Sequence, residues 1–124
     1  MNQKRNSMLY CEIGRHVREL GIHSSMTGYL YLCDCCLLIR ENMNLLYQIQ
    51  KGLYVMVGEI NNISPCNVEK CVRKAIAAAW QKDPDRMKDR LRAYFPEEIT
   101  RRPTATEVLS YVIWRINVEN PEAI

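Results

Sequence analysis

Residues 61–81 read NNISPCNVEKCVRKAIAAAWQ, a turn-forming tetrad followed by the most regular helical pattern in the chain. Asn61-Asn62-Ile63-Ser64 interrupts what precedes it, because Asn and Ser side chains hydrogen-bond local backbone and Asn tolerates the left-handed conformation. Ser64 is a good N-cap, and Pro65 suits a first helical position, where the N–H it lacks would have no partner. The apolar residues that follow are Val68, Cys71, Val72, Ala75, Ile76, Ala79 and Trp80, separated by alternating steps of three and one. At about 100° per residue that is one continuous face, and Lys70 lies diametrically opposite it. Arg73, Lys74, Ala77 and Asn67 fall on the same outer side, with Glu69 at its edge. The spacing predicts a helix over 65–81 that hides an apolar stripe and turns a basic, polar face outward.

Immediately upstream, Leu45, Leu46, Ile49, Leu53, Val57 and Ile60 keep helical spacing, and Gly52 is the expected joint between two shorter helices. Leu53–Ile60, the turn 61–64 and Pro65–Gln81 then form the order of elements of a helix-turn-helix. In such a unit the first helix braces the second, whose N-terminal half offers side chains to base edges in the major groove. Arg and Lys donate to guanine O6 and N7, Asn pairs with adenine, and a carboxylate accepts from cytosine N4. Asn67, Glu69, Lys70, Arg73 and Lys74 are therefore the candidate base-contacting residues. Glu69 has a second available role, holding a neighbouring cation in place. Lys51, Ser64, Lys82, Arg101 and Arg102 are the candidate phosphate contacts. Period alone does not separate this reading from a merely solvated basic face.

The rest of the chain is read as helices too. Leu9, Ile13, Val17 and Leu20 form a stripe that ends at Gly21, where a left-handed cap belongs. GYLYLCDCCLLIREN, beginning at Gly28, is apolar on most sides and should be central. Residues 81–95 read as a charged linker holding one short helix, Asp85–Tyr94, bounded by Pro84 and Pro96. Thr104 and Glu107 make a capping box before Val108, Leu109, Val112, Ile113 and Ile116. No segment has strand periodicity. The expected fold is all-α, a compact bundle of about six helices containing a helix-turn-helix.

Composition narrows the function classes. A chain of 124 residues with 48% apolar and 25% charged residues is one soluble globular domain, 1–124, with its core over about 9–119. The longest apolar runs are five or six residues, Cys35–Ile39 and Ala75–Trp80. A membrane span needs roughly 20. Nothing resembling a secretory signal follows the basic start of MNQKRNSMLYCEIGRH, so a cytoplasmic location is expected. In that compartment the six cysteines are thiols by default. Cys33-Asp34-Cys35-Cys36 lacks the paired knuckles of a zinc ribbon, so neither metal nor cofactor is expected, though a thiol redox or metal sensor at Cys33, Cys35 and Cys36 is a competing reading. There is no nucleophile elbow and no glycine after Gly58 to build a phosphate loop, which argues against an enzyme. His16, beside Arg15 and Arg18, reads as a surface residue, and His23 as a loop residue. Net charge is only +3, but residues 65–102 carry ten basic against six acidic residues, and the whole positive excess lies there.

Four separated motifs add a resemblance. Gly28-Tyr29-Leu30-Tyr31-Leu32, Leu53-Tyr54, the run Val68-Glu69-Lys70-Cys71-Val72-Arg73-Lys74-Ala75-Ile76 with Ala79-Trp80, and Pro103-Thr104 with Glu107 resemble, in order and spacing, the effector domain of stage 0 sporulation protein A. The resemblance runs from about Leu9 to Glu119. It implies a six-helix domain with a helix-turn-helix that binds a short double-stranded DNA box, often as tandem or dimeric copies. The family's DNA-reading positions fall on Asn67, Glu69, Lys70, Arg73 and Lys74. Asn67 and Lys70 stand where the family usually has Arg, and Lys74 where it has His, which implies an altered box. A Pro the family places near Val55 is also absent. The family joins this domain to a phosphoacceptor receiver, which would need roughly another 120 residues, so regulation is expected from dimerisation, a partner or abundance. The alternative is a protein-interaction module that pairs with a full-length relative and modulates it without touching DNA.

Overall fold

Each apolar stripe becomes a helix in the computed structural model, which describes residues 7–119. In order these are α1 (Met8–Glu19), α2 (Thr27–Glu41), a 3₁₀ turn (Met43–Tyr47), a π turn (Ile49–Leu53), α3 (Tyr54–Asn61), α4 (Pro65–Lys82), α5 (Pro84–Leu91) and α6 (Ala105–Glu119). Among the described residues there is no strand. The start of MNQKRNSMLYCEIGRH, which bears on the secretory-signal expectation, and the outermost parts of a 1–124 domain lie outside the described residues.

Local chemistry sets the ends. Ser7 caps α1 by accepting the Tyr10 N–H at 3.1 Å, and Gly21 takes φ +96° just beyond the other end. The α6 capping box closes both ways: the Thr104 N–H donates to Glu107 Oε1 at 2.9 Å and the Glu107 N–H to Thr104 Oγ1 at 3.2 Å.

α2 is the central rod. Every residue from Tyr31 to Ile39 is buried, and α1, α3, α4 and α6 all pack against it. Cys33, Cys35 and Cys36 belong to this core. Burial pushes the Cys35 and Cys36 thiols up, which favours their protonated form. Asp34, fully buried among them, accepts from Asn61 Nδ2 at 3.2 Å, with the Tyr10 hydroxyl 3.5 Å from its other oxygen. This one carboxylate therefore ties α1 and the end of α3 to α2.

Three expectations need correction. The joint in the third segment is at Gln48 rather than Gly52: Gln48 takes φ −135° and ψ 50°, while Gly52 sits inside the π turn, whose bonds run from the Gly52 and Leu53 N–H groups to the Gln48 carbonyl. The short charged helix is Pro84–Leu91 rather than Asp85–Tyr94, because Asp83 caps it by accepting the Arg86 N–H and Pro84 supplies its first turn. His16 is not on the surface but fully buried. It shares the inward face of α1 with Ile13 and Val17, and its ring nitrogens lie 3.4 Å from Glu19 and 3.2 Å from Glu119 of α6. The adjacent arginines do not mark a solvent face, since Arg15 itself turns toward α6 to meet Glu119 at 2.7 Å.

Candidate nucleic-acid interface

The Asn-rich turn is built as its residues dictate. Asn61 ends α3 with its side-chain amide donating to the Val57 carbonyl at 2.9 Å, and Asn62 takes the left-handed conformation at φ 57°, ψ 46°. Gly58 lets the chain double back, since a Cβ there would lie 2.6 Å from the Ile63 carbonyl oxygen. Ser64 then caps α4 by accepting the Asn67 N–H at 3.2 Å. A second close approach seats α4 on the core: Gly28 of α2 touches its backbone, and an added Cβ would come within 2.1 Å of the Cys71 carbonyl oxygen.

So seated, α4 divides as its period requires. Val68, Val72, Ala75, Ile76 and Ala79 are buried. Trp80 and Cys71 are half-buried against the core, and the Lys88 ammonium lies 5.5 Å from the centre of the Trp80 ring. Asn67, Lys70, Arg73 and Lys74 are all exposed on the opposite face, and Glu69 is half-buried at its edge. Arg73 donates to Glu69 Oε1 at 2.9 Å, an i, i+4 pair that aims the guanidinium while leaving it in solvent. Among the described residues Lys70 and Lys74 have no acidic partner, so both charges are open to an external anion.

The candidate phosphate contacts are scattered. Arg102 borders a cleft of about 360 Å³ together with Arg73 and Glu69, so the loop before α6 stands next to α4. Lys51 lines an adjoining hollow with Thr106. Ser64 remains exposed at the start of α4, its hydroxyl oxygen already used as the cap. Lys82 lies at the far end of α4 beside Arg18 and Arg86, on the order of 20 Å along the helix from Asn67. Arg101 is engaged by Glu107 through two bonds, at 2.8 and 3.0 Å. That contact raises the Arg101 pKa and lowers that of Glu107.

Two groups were not legible. Tyr54, beneath the cleft, is 3% exposed, and burial pushes its pKa up, so it remains a protonated donor. Glu12, His16 and Glu119 form the one cluster of potential metal ligands among the described residues. Arg15 already fills it, with one guanidinium nitrogen 2.7 Å from each carboxylate. Glu119 is 103 positions from His16, and no local rule links them. Among the described residues no helix is long and apolar enough to cross a membrane.

A short helix, a tight turn, and a longer helix capped by Ser64 and seated on the core with its cations outward have the order of elements of the helix-turn-helix class of DNA-binding domain. The particular family follows from the sequence match: residues 13–116 fit the family described as Sporulation initiation factor Spo0A C terminal, and the chain belongs to it. That family comprises DNA-binding effector domains of sporulation transcription regulators, not enzymes.

Proposed function

We propose that this chain is a sequence-specific transcription regulator that reads the major groove of double-stranded DNA with α4. The observation that carries the reading is the exposed row Asn67, Lys70, Arg73 and Lys74 on a helix whose opposite face is core. Arg73, held by Glu69, is the principal reader of guanine; Asn67 suits adenine; Glu69 sets the Arg73 fork. Lys70 and Lys74 are point charges without Arg's planar fork, so they contribute attraction and single bonds rather than bidentate recognition. Lys51, Ser64, Lys82, Arg101 and Arg102 serve as phosphate contacts, with Arg101 obliged to leave Glu107 first. The chain acts in the cytoplasm as one effector domain, 1–124, bound to DNA as tandem or dimeric copies.

Selecting bound sequences from random duplex DNA tests this reading. A recovered box with at least one guanine whose recovery depends on Arg73, and affinity that falls steeply with salt, is the expected result. Recovery of no enriched sequence at low salt would overturn it and favour pairing with a full-length relative instead.

A further inference from the structure

The cleft between α4 and the loop before α6 holds two groups that DNA reading does not use, the Tyr54 hydroxyl and the first amides of α6, beside Arg102, which is also among the candidate DNA phosphate contacts. Tyr54 lines it while 3% exposed, and among the described residues no side chain or backbone group hydrogen-bonds its hydroxyl, which is not sealed from solvent. The ring is buried, but the hydroxyl oxygen stays reachable from the cleft, where a ligand group can replace water on it. Nearby, the α6 capping box uses the Glu107 N–H, and the Val108 N–H goes to the Thr104 carbonyl. The Ala105 and Thr106 amides therefore have no acceptor among the described residues, and both residues line the cleft. Arg102 lines it too, with no carboxylate partner, whereas its neighbour Arg101 is taken by Glu107.

We propose that this cleft binds a small organic phosphate, with the phosphate at Arg102 and the first α6 amides and the organic body over Ile49 and Ile76 against the Tyr54 hydroxyl. A helix start with open amides beside an unpaired guanidinium suits a phosphate dianion. The volume of about 360 Å³ lies within the range of small-molecule sites. Glu69, on the α4 wall, disfavours a ligand charged along its whole length, so the charge belongs at one end. Arg73 also forms part of that wall, so ligand and DNA compete for its guanidinium and their binding is antagonistic. This coupling rests on the reading role of Arg73; the ligand site itself does not.

Titration of the ¹⁵N-labelled 124-residue protein with phenyl phosphate, without DNA, tests the site. Saturable shifts of the Ala105 and Thr106 amides are expected, with inorganic phosphate at least about tenfold weaker because it has no body to bury. Tyr54→Phe should weaken phenyl phosphate by about fivefold and leave the unfolding midpoint unchanged, since its hydroxyl bonds to nothing in the protein. Arg102→Gln should weaken it by about tenfold or more. Absence of saturable shifts at Ala105 and Thr106, or equal affinity in the wild type and Tyr54→Phe, overturns the proposal. So does a cleft that responds only to a DNA duplex, which would make the phosphate the nucleic acid's own. Because the titration contains no DNA, a failed DNA reading would leave its result intact.

Discussion

Gly28→Ala separates tertiary packing from helix propensity, because the two demand opposite outcomes. Gly28 lies in the first turn of α2, where propensity alone would make alanine better by at most about 1 kcal/mol. The added Cβ would sit 2.1 Å from the Cys71 carbonyl oxygen and 2.7 Å from the Ala75 Cβ. Ordinary carbon–oxygen contact begins at about 3.3 Å, so α2 and α4 must part by roughly 1 Å. A gap of that size forfeits about a quarter to a half of the dispersion energy of each contact it opens. Ala75, buried, lies at that seam. Because the neighbour is backbone, this clash belongs at the upper end of the roughly 1–3 kcal/mol that overpacking costs, and less a propensity gain of about 1 kcal/mol it leaves a net loss of about 2 kcal/mol. Urea unfolding should then show a midpoint lower by roughly 1 M with an unchanged slope. A midpoint equal to or above the wild type would refute the claim that this glycine seats α4 on the core.

Arg73→Ala should cost about 1–3 kcal/mol on the selected box, yet change unfolding by less than about 0.5 kcal/mol, because its pair with Glu69 is largely exposed. Equal losses on selected and random duplexes would remove its reading role. Lys82→Ala should weaken all sequences alike and reduce the salt slope by about 1, measured by binding at several salt concentrations. Thr104→Ala removes the cap that accepts the Glu107 N–H and should destabilise the fold by about 1 kcal/mol in the same urea assay. Burial lowers the pKa of His16 below its ordinary 6.5, against the pull of Glu119 and Glu19. The unfolded chain then takes up a proton more readily than the native one, so stability is full above pH 6.5 and declines as pH falls below it. His16→Gln should flatten that decline; stability rising on acidification from pH 7 would mean that the imidazolium bridges the two glutamates.

The helices were legible where one local rule decided them. Ser64-Pro65 opens α4, Thr104 with Glu107 opens α6, and Gly21 follows α1, each requiring only a few adjacent residues. The division of α4 into buried and basic faces was also legible, because helical period alone fixes it. What failed depended on distant groups. His16 is buried by Glu119 and the α1–α6 contact, and neither is visible from the arginines beside it. The segment 45–53 has helical spacing but winds as a 3₁₀ turn and a π turn on either side of Gln48, one tighter and one wider than an α-helix, so over so short a stretch the apolar spacing averages close to the α-helical one. Tyr54 is part of a recognisable dipeptide, but its unpaired hydroxyl is a property of the cleft that the loop before α6 completes.

Guanine N7 faces only the major groove, so methylation interference on the selected box tests the placement of α4 most directly. Methylation of at least one guanine should abolish wild-type binding, and the same methylation should make little further difference to Arg73→Ala. Binding that tolerates N7 methylation throughout the box would contradict the insertion of this helix face into the groove.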